Sequence, residues 1–304
     1  MRILLTGTSG QVGGALLPLL RRSQEVLAPN PAEFDLSDPH ALAAALDRLD
    51  VDLIINPAAY TAVDRAEDEP ELAFRINAEA PAELARWAAR HNVPLIHFST
   101  DYVFDGSGQT PWREEDRCRP LSSYGRSKWE GEKAIQASGA PQLIIRTSWV
   151  YAAQGTNFLR TMNRLARERD DLRVVADQFG APTSASSIAE AVAMILARRA
   201  SAAELAKDFA AAHGLVHLAN SGSTSWHGFA SAIVEGLKAR GQPVKASAVH
   251  AITTKEFPTK AVRPANSRLD LSRLREAFGV STPSWQQALG RELDILVQHG
   301  KDGS

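Results

Sequence analysis

The chain has 304 residues, 44% of them hydrophobic and 23% charged, with a formal net charge of -1 and a pI of about 6.7. This is enough apolar material for one large core and a smaller appendage, with no net field to draw in nucleic acid or an anionic membrane. Cys118 is the only cysteine, which excludes an intrachain disulfide and fits a reducing compartment, so a cytoplasmic protein is expected.

Met1 and Arg2 lead directly into the apolar run Ile3 to Leu5. That leaves no room for a signal peptide, and no apolar run reaches the ~18 residues of a membrane span. Gly7, Gly10 and Gly13 follow at once. A glycine triplet between a strand and a helix lets the backbone turn sharply and approach a pyrophosphate, while the helix amides face the phosphates. The G-x-x-G-x-x-G spacing is wider than the common dehydrogenase form, resembles the short-chain reductase variant, and predicts a dinucleotide seat.

Further short apolar runs follow at Glu25 to Ala28, Leu53 to Asn56, Pro94 to Ser99 and Leu143 to Thr147. Between them, Ala41 to Leu49 and Pro70 to Arg90 carry apolar residues at three- and four-residue spacings, as amphipathic helices do. This alternation predicts an α/β fold with a doubly wound parallel sheet of the Rossmann type over residues 1–150. After 150 the pattern loosens. It predicts a helix over Asn157 to Arg169, a strand at Leu172 to Val175, and helices near Ser184 to Arg198, Ser201 to Ala212 and Ser225 to Ala239. A last helix is expected from Thr282 or Pro283 to about Val297, then a frayed tail at Lys301 to Ser304. Residues 151–304 therefore read mainly as a smaller mixed α/β substrate lobe, with some later segments returning to the first sheet. No internal repeat or low-complexity segment is present.

The NAD or NADP preference stays open, because the second strand ends in Leu27-Ala28-Pro29-Asn30, with neither the acid that holds a ribose 2'-hydroxyl nor an arginine for a 2'-phosphate. Asp35 is placed near the adenine. Tyr124 and Lys128, four residues apart, share one face of a later helix. A cation ~5 Å from the phenol, at an effective dielectric of about 20, favours the phenolate by roughly 3 kcal/mol, or about two pKa units. The pair therefore predicts a lowered phenol pKa and proton transfer during carbonyl reduction. Ser99-Thr100-Asp101 ends the fourth strand, where open α/β sheets bind ligands, and Thr100 is the candidate to orient the carbonyl oxygen. Asn77 either holds a water or backbone group beside Lys128 or is an ordinary helix-face asparagine. His97, inside a strand beside Phe98, reads as a packed core histidine. The eight histidines and one cysteine show no metal-ligand spacing.

These strings resemble the extended short-chain dehydrogenase/reductase superfamily and, within it, the dTDP-4-dehydrorhamnose reductase family. The resemblance covers essentially the whole chain. It is carried by Leu4-Leu5-Thr6-Gly7 with Gly10-Gln11-Val12-Gly13, Tyr60-Thr61-Ala62-Val63-Asp64, Ser99-Thr100-Asp101-Tyr102-Val103-Phe104 and Tyr124-Gly125-Arg126-Ser127-Lys128. Narrower carriers are Arg146-Thr147-Ser148-Trp149-Val150-Tyr151, Asp177-Gln178-Phe179-Gly180-Ala181-Pro182-Thr183 and Arg263-Pro264 with Asn266-Ser267-Arg268-Leu269. The resemblance implies NADPH- or NADH-dependent reduction of dTDP-4-dehydro-6-deoxy-L-mannose to dTDP-L-rhamnose, a sugar donor for bacterial cell-surface polysaccharide. It makes Thr100, Tyr124 and Lys128 catalytic. Gly10, Gln11, Val12, Asp35, Leu36, Ala59, Tyr60 and Thr61 would line the cofactor, together with Gly7, Gly13, Tyr124 and Lys128. Thr100, Asp101, Tyr124, Trp149, Arg263 and Asn266 would contact the nucleotide sugar. Some family members are magnesium-linked dimers that use surface glutamates. Here Ala15 stands at the first such position, and the second, around Ser184 to Ser187, is Ser and Ala, so a monomer or weak homodimer without bridging magnesium is expected.

Two alternatives share parts of this signature. A nucleotide-sugar epimerase or dehydratase has the same fold, but a dehydratase places an Asp-Glu pair after the strand-four threonine, whereas Asp101 precedes Tyr102. A non-catalytic regulatory subunit, like the β subunit of methionine adenosyltransferase, resembles the same family. The intact Thr100, Tyr124 and Lys128 argue against it.

Overall fold

The structure, a computed structural model, describes residues 1–197, 199 and 201–302. The first half runs β1 (Arg2–Leu5), α1 (Gln11–Leu20), β2 (Glu25–Leu27), α2 (Pro39–Leu46), β3 (Leu53–Asn56), α3 (Pro70–Phe74), α4 (Ala80–His91), β4 (Leu95–Thr100), α5 (Ser123–Ala137) and β5 (Gln142–Thr147). The second half continues with β6 (Val150–Tyr151), α6 (Phe158–Glu168), β7 (Asp171–Val175), β8 (Phe179–Gly180), β9 (Thr183–Ser184), α7 (Ala185–Ala197), α8 (Ala202–Ala211) and β10 (Leu215–His217). It closes with β11 (Thr224–Ser225), α9 (Trp226–Ala239), β12 (Ala248–Ile252), β13 (Asn266–Ser267), α10 (Ser272–Phe278) and α11 (Trp285–Asp302).

Six strands form one sheet in the order β10-β5-β4-β3-β1-β2, every pair parallel. Because alternate side chains point to opposite faces, each strand feeds two cores. Ile3, Leu5, Leu53, Ile55, Ile96, Phe98, Leu143 and Ile145 face a layer built from α1, α7, α8 and α10. Leu4, Ile54, Leu95 and Ile144 face α2, α4 and the Ile135 turn of α5. Burial on both faces is why these strands read as continuous apolar runs. The remaining elements make a second core, with Leu159, Phe229, Trp285, Leu289 and Leu293 at its centre, beside three small sheets, β11-β8-β13, β12-β7 and β6-β9. No described helix is long and apolar enough to cross a membrane.

Boundaries differ from the sequence expectation where local chemistry intervenes. The second helix starts at Pro39 rather than Ala41, because the Asp38 side chain accepts from the amides of His40 and Ala41 and Pro39 takes the first helical position. Pro70 to Arg90 is not one continuous α-helix: a π turn, Arg75–Glu79, separates α3 from α4. Pro81 has no N–H to offer the Asn77 carbonyl four residues back, and the backbone widens there. The last helix begins at Trp285 and runs beyond Val297 to Asp302, so the first half of the expected frayed tail is helical. Arg198, and Gly303 and Ser304 of that tail, lie outside the described residues.

Candidate active site

The site lies at the carboxyl ends of β1, β3, β4 and β5. Gly7 leaves β1 with φ +59°, a conformation that suits glycine. A Cβ there would sit 2.8 Å from the backbone of Ala58 in the loop after β3, and one on Gly13 would collide with the Gly7 carbonyl. The first turn of α1 is therefore drawn tightly onto the loop. Gly10 precedes α1 without a side-chain cap, which leaves the leading amides facing outward as an anion seat. Gln11 holds a buried Oε1 that has no hydrogen-bond partner, and Val12 packs into the core below. Ala59 is half-buried and Thr61 exposed. Tyr60 donates its hydroxyl to Glu69 at 2.7 Å. Asp35 is exposed, and its Oδ1 accepts from the Ser37 amide at 2.8 Å, which holds the carboxyl below its ordinary pKa. Leu36 packs against the edge of the core between the sheet and helices α2 and α4. The close-packed glycine cradle, the open helix amides and the orphaned Gln11 oxygen fit a dinucleotide cofactor.

Two glycines bring α5 to this crevice. A side chain on Gly125 would strike the Tyr102 carbonyl, and one on Gly131 would strike the Asn77 carbonyl in the π turn. Ser122 caps the helix by accepting from the Gly125 amide at 3.1 Å. Glu67 fixes its first residue, accepting from the Ser123 amide at 2.7 Å and the Ser123 hydroxyl at 2.9 Å. Asn77 ties the same helix to the cofactor loop. Its Oδ1 accepts from the Tyr60 amide at 2.9 Å, and its Nδ2 donates to the Tyr60 carbonyl and the Ser127 hydroxyl at 3.0 Å each. Of the two roles open to Asn77, the structure shows the backbone-holding one.

Tyr124 stays partly open to the crevice. Burial nonetheless pushes its phenol pKa well up, the Thr100 side chain pulls the other way, and Asp101 and Tyr102 add to the rise. This corrects the expectation of a lowered phenol pKa. Lys128 is not among the groups that move it; the Lys128 Nζ lies 3.1 Å from His97 Nε2, and burial pushes the lysine itself down to about 8. His97 is buried as expected, yet it is more than core filling, since its ring joins Lys128 to Asn56.

Thr100 donates to Asp101 Oδ1 at 3.1 Å and accepts from the Tyr102 amide at 3.2 Å. The Tyr102 ring meets Tyr124 edge-on, with centroids 5.6 Å apart. Ser99 Oγ, Thr147 Oγ1 and Asp101 Oδ2 are buried without partners. A native fold keeps such polar atoms for a ligand or pays a desolvation penalty. Burial pushes the Asp101 carboxyl up to about 7, against the opposing pull of the Ser267 and Thr100 side chains. A raised folded-state pKa means that the stabilisation is fully present below the unfolded value near 4 and is lost as pH rises through about 7. Asp101→Asn should therefore resist urea better than the parent chain above pH 7. The gain is on the order of 4 kcal/mol at most and vanishes towards pH 4. A difference that stays constant with pH would contradict this assignment.

Trp149 has φ +49° and stacks on Trp226 at 3.7 Å between centroids. A Cβ on Gly180 would lie 2.6 Å from its ring, so glycine is needed there. Arg263 Nη2 donates to Asp64 at 2.6 Å and Nη1 to the Tyr102 hydroxyl at 3.4 Å. This ties the second half to the loop after β3. Asn266 is buried, and its Nδ2 donates to the Thr110 carbonyl at 2.8 Å while Oδ1 accepts from Arg268 Nε at 2.8 Å. Sequence reasoning read Asn56 only as the start of the small-residue run Asn56-Pro57-Ala58-Ala59-Tyr60, passing close to a ligand or packing tightly, and gave Glu67, Tyr102 and Ser127 no role; a polar residue ending an apolar strand, as Asn56 does, signals a needed partner. Among the described residues, no group of three or more His, Cys, Asp or Glu is arranged to hold a metal ion.

A family model described as the RmlD substrate binding domain matches residues 1–298. The chain is 44% identical to a dTDP-4-dehydrorhamnose reductase of Sinorhizobium fredii, over 99% of this chain and all of the relative. A solved dTDP-4-dehydrorhamnose reductase from Clostridium acetobutylicum superposes with a TM-score of 0.87 at 34% identity, covering 97% of this chain and 99% of that one. Another from Bacillus anthracis, solved in complex with NADP, gives 0.85 at 31% identity with the same coverage. By its sequence and its fold, the chain belongs to the dTDP-4-dehydrorhamnose reductase family of oxidoreductases.

Proposed function

We propose that this protein reduces the C4 carbonyl of dTDP-4-dehydro-6-deoxy-L-mannose to give dTDP-L-rhamnose, with Tyr124 as proton donor and Thr100 and Lys128 assisting. The observation that carries this reading is the convergence of Thr100, Asp101 and Tyr124 beside a close-packed dinucleotide cradle. NADPH or NADH supplies the hydride when bound. The raised phenol pKa keeps Tyr124 protonated at neutral pH, so it meets the substrate as an acid and can deliver its proton to the carbonyl oxygen. Thr100 orients that oxygen. Lys128 restores charge balance around the phenol and the cofactor ribose.

Gly7, Gly10, Gln11, Val12, Gly13, Asp35, Leu36, Ala59, Tyr60 and Thr61 are assigned to the cofactor, with residues 1–150 forming most of its domain. Thr100, Asp101, Tyr124, Trp149, Arg263 and Asn266 are assigned to the nucleotide sugar, with residues 151–304 serving mainly as the substrate lobe. A cytoplasmic monomer or weak homodimer is the working state. The experiment is NADPH and NADH oxidation by the purified protein, with the keto sugar generated in place by the upstream enzymes. Substrate-dependent turnover supports the reading and ranks the two cofactors. Cofactor binding without turnover would reject it.

A further inference from the structure

Four polar side chains from four separate segments form one line beneath the site. Thr6 follows β1, Asn56 ends β3, His97 lies in β4 and Lys128 in α5, and none is more than 3% exposed. Thr6 Oγ1 lies 2.5 Å from Asn56 Oδ1, Asn56 Nδ2 lies 3.1 Å from His97 Nδ1, and His97 Nε2 lies 3.1 Å from Lys128 Nζ. A neutral imidazole has one donor and one acceptor nitrogen, an asparagine amide has one end of each kind, and a hydroxyl is both. Fixing the direction of one bond therefore fixes the whole line.

We propose that His97 is a positioning residue for Lys128, and that the Asn56–His97 pair reverses its hydrogen-bond direction whenever the lysine gains or loses its proton. With Thr6 donating to Asn56 and Asn56 Nδ2 donating to Nδ1, the ring carries its proton on Nε2 and offers it to a lone pair on a neutral lysine. When Nζ is an ammonium it must donate to Nε2. The ring proton then sits on Nδ1, the Asn56 amide turns its oxygen to the ring, and its nitrogen donates to Thr6. In either direction each of the three contacts in the line joins a donor to an acceptor, which spares the cost of a donor facing a donor. Lys128 can thus change protonation state without moving.

The surrounding charges are compatible with this role. Burial and the neighbouring lysine hold the His97 ring well below its ordinary pKa, so it stays neutral. Burial lowers Lys128 to about 8 while Glu132, one turn further along α5, opposes the shift. Glu132 is itself paired with Arg146 of β5 at 2.6 Å. Tyr124 lies one turn earlier on the same helix, and the charges that move its phenol come from Asp101 and Tyr102 after β4. Thr6 and Asn56 bring no charge from β1 and β3.

The inference rests on the reductase reading only for what the lysine does in turnover, and its test stands apart from activity. The full chain would be labelled with 15N-histidine, and the His97 ring followed by long-range proton–nitrogen correlation, with its signals assigned by their loss in His97→Gln. The expected result is a change from the Nδ1–H to the Nε2–H tautomer as pH rises through about 8, with no imidazolium signal. In Lys128→Met the ring should keep one tautomer throughout. A single tautomer at all pH values in the parent chain, or a switch that persists in Lys128→Met, would overturn the proposal. In kinetics, His97→Gln, which keeps a donor and an acceptor but cannot exchange them by tautomerism, should displace the pH profile of kcat/KM, whereas a purely structural role would scale the profile without displacing it. A tautomer switch in a chain that fails to turn over the keto sugar would support this inference and reject only the reductase reading.

Discussion

Tyr124→Phe is expected to lower turnover by about 10²–10⁴-fold, the range of general acid catalysis, while nucleotide affinity changes by no more than a few-fold. The substitution removes one oxygen and leaves the ring that packs edge-on against Tyr102. The fold and the cradle around Gly7 and Gly13 lie on other elements and should stay intact. Loss of the proton donor leaves the developing oxyanion to Thr100 and solvent, so the deficit should fall on kcat rather than KM. Steady-state kinetics with the keto sugar, beside NADPH binding followed by fluorescence, measures both quantities. Near-parental turnover in this variant would remove Tyr124 from the chemistry. Equal loss of binding and turnover would instead make it a packing residue.

The largest expected stability effect lies one layer away, at Arg146. The residue is 1% exposed, and its guanidinium gives Glu132 three hydrogen bonds, of 2.9, 3.2 and 2.6 Å. It also donates to the Glu114 carbonyl at 3.3 Å and the Cys118 sulfur at 3.2 Å, and it sits 5.0 Å from the centroid of the Phe104 ring. Arg146→Met leaves the fully buried Glu132 without its counter-charge, which should cost about 3–5 kcal/mol. Arg146→Met combined with Glu132→Leu removes both charges and should return to within about 1 kcal/mol of the parent chain, because desolvation of a buried pair roughly offsets its attraction. Urea unfolding midpoints of the three chains decide the matter. A double variant as unstable as the single one would mean that the pair contributes net stability of its own.

The positions of the main strands were legible because a parallel strand buried on both faces must be apolar along its length. Leu53–Asn56 and Leu95–Thr100 show it, each ending in polar residues at the crevice. The helices of the second half were legible where apolar spacing was regular, as in α6, whose Asn157 cap accepts from the Arg160 amide. The strands β10 and β12 were not legible. Leu215–His217 has only two apolar residues and Ala248–Ile252 is mixed and largely unburied, so they carry too little pattern, and they exist because β5 and β7 supply the missing hydrogen bonds. The π turn escaped notice for a related reason: Pro81 sits where a proline also begins an ordinary helix, and the close approach of Gly131 to the Asn77 carbonyl, which Pro81 leaves without its helical donor, is a long-range contact.

The sequence by itself determined the class of fold, the glycine cradle and the presence of Tyr124 and Lys128 on one helical face, since these depend on local spacing and backbone sterics. Tertiary structure decided what those groups meet. The face of the sheet opposite α2 and α4 is closed partly by α7, α8 and α10, which come from beyond residue 184. Asp101 becomes a buried carboxyl with a free oxygen. Lys128 finds the ring of His97 and does not lower the phenol as spacing alone implied. Burial and long-range partners set the protonation state of a side chain, and neither is written in the spacing of residues along the chain.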